Sequence, residues 1–262
     1  MPDPPEEPNA HSLAKATAEA VAPEVSKYIG TILGASQIEA GEMAAEWIRY
    51  HRFKRSIKYL KKSMKQLEDA GLHPQEVPVK TLVPLMENAS LEDDEELSDR
   101  WASLLANAAA GGDVPPSFTR ILSDLEPVHA RVLDELYNVS MSMAPGHRDQ
   151  AGISGPKTAE AHGMDREQFG AVVDNLFRLR VAQGVSEIER WDSALVATPL
   201  GRRFVRACRP PGQPDPPIRW QTHQDFKAYC ARTRGTSLQP QDPSVATPQP
   251  TAVEPGPLEP RG

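Results

Sequence analysis

Apolar residues recur at 4-3-3-4-3-4-3 spacing through Met43, Trp47, Tyr50, Phe53, Ile57, Leu60, Met64 and Leu67. That spacing predicts one long amphipathic helix over about 41–70, with a narrow apolar seam. Gly71 stands where a C-cap glycine belongs, and Pro74 stops any continuation. Upstream, Val25, Tyr28, Ile29, Ile32 and Leu33 predict a helix opened by Pro23, whose missing N–H costs nothing in a first turn. Gly30 and Gly34 give it a GxxxG spacing, read here as close helix packing in a soluble bundle. Downstream, Pro78 opens a further helix with Val79, Leu82, Val83 and Met86 on one face and Pro84 as a kink.

Residues 87–112 read ENASLEDDEELSDRWASLLANAAAGG, with seven acids between Glu87 and Asp99 and no base among them. Ser90 reads as the N-cap, with Asp93 three residues on as a short-acid capping box. At about 100° per residue, Leu97, Trp101, Leu104, Leu105 and Ala108 share one side, and Glu92, Glu95, Glu96 and Asp99 share the other. The acids therefore read as a stripe facing away from the core, helped by the unpaired N–H groups of a first turn. A carboxylate metal site needs further ligands converging in a pocket, and no histidine is near in sequence. Asp94 falls inside the apolar arc, so it is expected to be frayed or bonded to something specific. The helix should stop near Ala110, at Gly111-Gly112.

The pattern then changes. Val128, Val132, Leu133, Leu136 and Tyr137 predict an amphipathic helix, followed by a polar loop over 144–155. A short helix runs from Pro156 to Gly163. A third helix is capped by Asp165 with Gln168 three on and turns Phe169, Val172, Val173, Leu176 and Leu179 inward. Two strands around "RWD" and a last helix over "PLGRRFVRAC" complete a winged helix-turn-helix order. The fold class expected is mainly α, in two modules: a helical one over 23–124, and a winged-helix-like one with a small β-hairpin over 125–209. Proline-rich ends, 1–22 and 210–262, are expected to be disordered, with a short helix near 219–232 built on Trp220, Phe226 and Tyr229.

Charge adds a second layer. The outward face of the long helix carries Arg49, Arg52, Lys54, Arg55, Lys58, Lys61, Lys62 and Lys65, with no acid between Glu46 and Glu68. Such a run needs solvent, an acidic neighbour or an anionic partner. The acid stripe Glu92, Glu95, Glu96 and Asp99 lies in the same module and offers the matching face. In the second module eleven bases stand against ten acids over 127–209, unlike the basic stripe of a typical duplex reader. Arg166, Arg178, Arg202 and Arg203 are its candidate nucleic-acid contacts. Net charge is −7, which gives no overall pull toward nucleic acid or anionic lipid. Cys208 and Cys230 make no disulfide framework. No phosphate-loop, dinucleotide, nucleophile-elbow or zinc spacing occurs, so no cofactor, metal or catalytic residue is assigned. No signal-like or membrane-spanning run is found, which reads as a soluble cytoplasmic protein.

The stretch VPVKTLVPLMENASLEDDEELSDRWASLLANA, followed by PPSFTRILSDLEPVHARVLDEL, resembles the Abi-alpha (abortive infection alpha) proteins of bacteria. The basic helix before it and TPLGRRFVRAC after it also fit. The resemblance implies a role in phage defence and brings no catalytic residue with it. Three readings follow. The leading one is a non-enzymatic defence protein working through contacts with a protein partner or with its own copies. The alternative is a DNA-binding regulator using the winged helix. The third is a metal-dependent hydrolase or nuclease.

Overall fold

The computed structural model describes residues 23–32, 53–185 and 194–232. Met43, Trp47, Tyr50, Arg49, Arg52 and Gly34 lie outside them, as do the side chains of Lys54 and Arg55, the turn between the two predicted strands, and the two chain ends. The helices are α1 (Pro23–Ile32), α2 (Phe53–Asp69), α3 (Val79–Leu91), α4 (Glu95–Ala109), α5 (Ser117–Ser123), α6 (Pro127–Met141), α7 (Gly155–Ala161), α8 (Arg166–Arg178), α9 (Pro199–Ala207) and α10 (His223–Arg232). Strands β1 (Ile153–Ser154), β2 (Ala182–Gly184) and β3 (Ala194–Ala197) form an antiparallel sheet in the order β1-β3-β2. Its register pairs Ile153 with Leu195 and Gln183 with Val196. The chain is thus mainly helical with a small sheet, as its periodicity predicts. Among the described residues no helix is long and apolar enough to cross a membrane.

α2 ends as the sequence requires. Gly71 adopts φ 66°, where a side chain would be strained, and Leu72 N–H returns to Leu67 O at 2.9 Å. Its seam is wider than the heptad spacing implies, because Tyr59 and Ser63 are buried beside Leu60 and Leu67. The reason is α1, whose Tyr28 hydroxyl meets the Ser63 hydroxyl at 2.7 Å. Gly30 does not bring helices together: a Cβ placed there meets nothing within 4 Å.

Two local expectations are corrected. Ser90 does not cap the acidic helix; it lies in the last turn of α3 and donates its hydroxyl to Glu87 O at 2.7 Å. Asp94 is the cap, its Oδ1 accepting the Leu97 N–H at 3.0 Å, which explains a lone acid inside the apolar arc. The buried face of α3 is Leu82, Leu85, Met86 and Ala89, while Val79 is exposed. Pro84 sits within the helix.

α4 runs to Ala109, with Gly111 at φ 77° beyond it. From Trp101 to Ala109 every residue except Asn107 is buried. α4 packs on α2 above all, and also on α3, α6 and α9. One apolar core runs from Tyr28 to Cys208, straight through the boundary expected near residue 124.

In the second half, His129 and Glu126 box the start of α6, Glu126 N–H donating to His129 Nδ1 at 3.1 Å. Asp165 and Gln168 box α8 as their spacing predicts. The polar loop holds a 3₁₀ turn (Pro145–Gln150) and β1, too short to show as alternation. Gly201 sits against Val181, whose carbonyl oxygen a Cβ would approach to 2.0 Å.

Gly201→Ala should therefore shift the contact of α9 with the Val181 backbone and cost more than about 2 kcal/mol, whereas Gly146→Ala, with open space around it, should be near neutral. Trp101→Ala should cost about 3–5 kcal/mol and Leu104→Ala about 2–5, read as lower urea midpoints. A wild-type midpoint in Gly201→Ala or Trp101→Ala contradicts the packing described.

Candidate functional site

The two charge-segregated faces meet. Lys58 and Lys62 stand one turn apart on α2, and Glu95 and Asp99 stand one turn apart on α4, so the rows mesh. Lys62 Nζ donates to Glu95 Oε1 at 2.5 Å and also to Asp99, and Lys58 donates to Glu95. The Lys58 and Lys62 ammonium groups together hold the Glu95 carboxyl down at about 2. Lys65 turns instead to Asp69 of its own helix, at 3.1 Å. Among the described residues no acid pairs with Lys61.

The acid stripe serves more than one neighbour. Glu92 stays local, its Oε1 accepting the N–H groups of Asp93 and Asp94 at 3.0 Å each. Glu96 binds Arg100 and Arg131, both at 3.1 Å. Arg100 in turn clasps Asp134 of α6 through two bonds, Nη1 to Oδ1 at 3.1 Å and Nη2 to Oδ2 at 2.6 Å. The Arg100 side chain is 11% exposed, while Asp134 keeps 36% of its side chain open to solvent.

Behind these pairs lies a groove of about 540 Å³, walled among others by Gln66, Asp99, Arg100, Asp134, Tyr137 and Arg209. Arg209 lies over the Tyr137 ring at 5.2 Å from its centroid. The Tyr137 hydroxyl donates to Asp215, which also binds Arg206 at 2.5 Å. Three buried polar atoms of the lining have no hydrogen-bond partner: Gln66 Oε1, Arg100 Nε and Arg209 Nη1. Cys208 closes the groove, and burial pushes its thiol up to about 12, far from a reactive thiolate. Among the described residues no group of three or more His, Cys, Asp or Glu could hold a metal ion. The lining is one of mixed charge, suited to recognition of a polar surface.

Three of the four candidate nucleic-acid contacts pair with acids of the same chain, and of these only Arg202 is largely covered. Arg178 binds Asp124 at 3.0 Å and its helix neighbour Asn175. Arg202 binds Asp149 and the Ala197 carbonyl, both at 2.7 Å. Arg203 pairs with Asp113. Arg166 is exposed at the start of α8.

Sequence reasoning missed Arg100, Asn107 and Asp134, and read Arg209 only as part of a small basic patch at the end of the last helix. Asn107 Nδ2 reaches the Ala207 and Arg209 carbonyls at 3.0 and 2.7 Å, closing the end of α9. The signal was a polar residue interrupting the apolar half of α4, in the run RWASLLANA. Asp134 carried no such signal, since it sits on the polar side of its own helix.

A family model described as abortive infection alpha matches residues 52–208, more than half of the chain. No curated protein and no solved structure matches it.

Reversing Glu95 and Asp99 to Lys should lower the urea midpoint by a few tenths of a molar. Reversing Lys58 and Lys62 to Glu in the same chain should restore part of it. Strict additivity of the two reversals would refute the meshed rows. Glu95 is held below its ordinary value of 4.5, so its contribution is complete above that pH and fades as pH falls toward 2. Glu95→Gln should flatten that acid limb.

Proposed function

The chain belongs to the abortive infection alpha family, and from that membership we propose that it serves bacterial abortive infection in the cytoplasm, through protein contacts. We read the unit from α6 to α9 as a winged helix used for packing and protein contact, its order being helix, strand, helix, helix, strand, strand, helix. The partner surface we assign is the mixed-charge groove between α2, α4, α6 and the end of α9.

The observation that carries this reading is where the cations go. A duplex reader keeps lysine and arginine free for phosphates. Here Lys58, Lys62, Arg178, Arg202 and Arg203 each bind an acid of the same chain. What remains at the groove is a set of opposed charges with hydrogen-bonding capacity to spare, which fits a polar protein surface better than a polyanion.

Pull-down with the full chain from phage-infected and uninfected bacterial cells should recover a partner that Arg209→Glu releases while the urea midpoint stays near wild type. Duplex DNA should bind no tighter than about 10⁻⁶ M near physiological salt. Tighter binding that falls steeply with salt and is lost on Arg166→Glu would replace this reading with the DNA-binding one.

A further inference from the structure

Residues 210–222, assigned by composition to the tail, run along the body and lead into α10. Arg219 and Trp220 donate their backbone N–H groups to Ser142 O at 2.8 and 3.1 Å, and Ala144 N–H donates to Trp220 O at 2.9 Å. Trp220 and Phe226 meet edge to face at 5.0 Å between centroids, with Tyr229 at 5.2 Å from Trp220. Phe226 is the buried anchor of α10 and enters a site floored by Met143 and Ala151, each fully covered. Thr222 and Asp225 box the helix start, their backbone N–H groups bound at 3.0 and 3.1 Å.

Three features set this contact apart. Met143, Ala151 and Phe226 form their own cluster, separate from the core that runs from Tyr28 to Cys208. It can therefore open without the core opening. α10 has ten residues and one buried anchor, so away from a site it would not hold its helix. The connection is short and stiff: Asp215 is pinned to Tyr137 and Arg206, and Pro216-Pro217 follow it.

We infer that residues 219–232 are an exchangeable arm, and that the Met143–Ala151 site accepts the arm of a second copy of this chain. The fit of that occupant is already displayed, since the second copy carries the same Trp220 and Phe226 and the same Ser142 acceptor. Reciprocal exchange gives a closed two-fold dimer in which each site is filled once. Pro216 to Arg219, four residues, reach at most about 14 Å. The two sites must then face each other across the axis, with the C-terminal ends of both α6 helices side by side. This inference goes beyond the protein-contact reading of the groove and stands whether or not that reading holds.

Light scattering of the full chain should show a dimer fraction that rises with concentration and falls at least tenfold in Phe226→Ala. Met143→Glu, or Ala151→Glu should the first not fold, spoils the site and keeps the arm. Mixing a site variant with Phe226→Ala leaves one intact arm opposite one intact site, so the mixture should form more dimer than either alone. A synthetic peptide of residues 218–232 should bind folded Phe226→Ala and be excluded from the wild-type monomer. A wild-type chain that stays monomeric up to about 0.5 mM overturns the inference. So does a dimer that Phe226→Ala leaves intact, or a mixture no better than its parts.

Discussion

The second half of α4 has to be apolar nearly all round, and most of the architecture follows from that requirement. A helix buried on every side cannot carry its charges at mid-length. The chain meets this by crowding acids into the first turns of α4 and leaving Trp101 to Ala109 almost entirely to the core. α2, α3, α6 and α9 then pack about it. Asn107 is the exception that supports the rule. It sits inside the apolar stretch because the carbonyls ending α9 need donors there, and an unsatisfied buried carbonyl costs about 1–3 kcal/mol.

Crowding the acids creates repulsion that neighbours must relieve, and two do so from different sides. α2 supplies Lys58 and Lys62 to one flank of the stripe, while Arg100 and Arg131 take Glu96 on the other. Arg100 is the pivot, since its guanidinium also holds Asp134 of α6. The charged end of α4 therefore ties the two halves of the molecule with geometry, while its apolar end ties them by burial.

Helix existence and facing were legible wherever an element is amphipathic and long, as for α2, α4 and α8. Boundaries failed where two cap residues compete. Ser90 and Asp94 are both good caps, and only the turn between α3 and α4 decides that Asp94 is used. β1 was invisible because two residues carry no period. The meeting of basic and acidic faces was readable as one of three outcomes, because like charges on one helix need solvent, an acidic neighbour or an anionic partner. The groove was not, because Asp134 looks like an ordinary surface residue until α4 and α6 are laid together.

The bonds from Asn107 to Ala207 and Arg209 span 100 and 102 positions. A nascent chain that has produced α4 has no carbonyls to offer that amide, and no α6 or α9 to cover the Trp101–Ala109 flank. Native closure has to wait for the last third of the sequence. Contacts of such separation slow folding, and meanwhile they leave a long apolar helix side open to chaperones and to misassociation. The molecule is thus committed to folding late and as a whole.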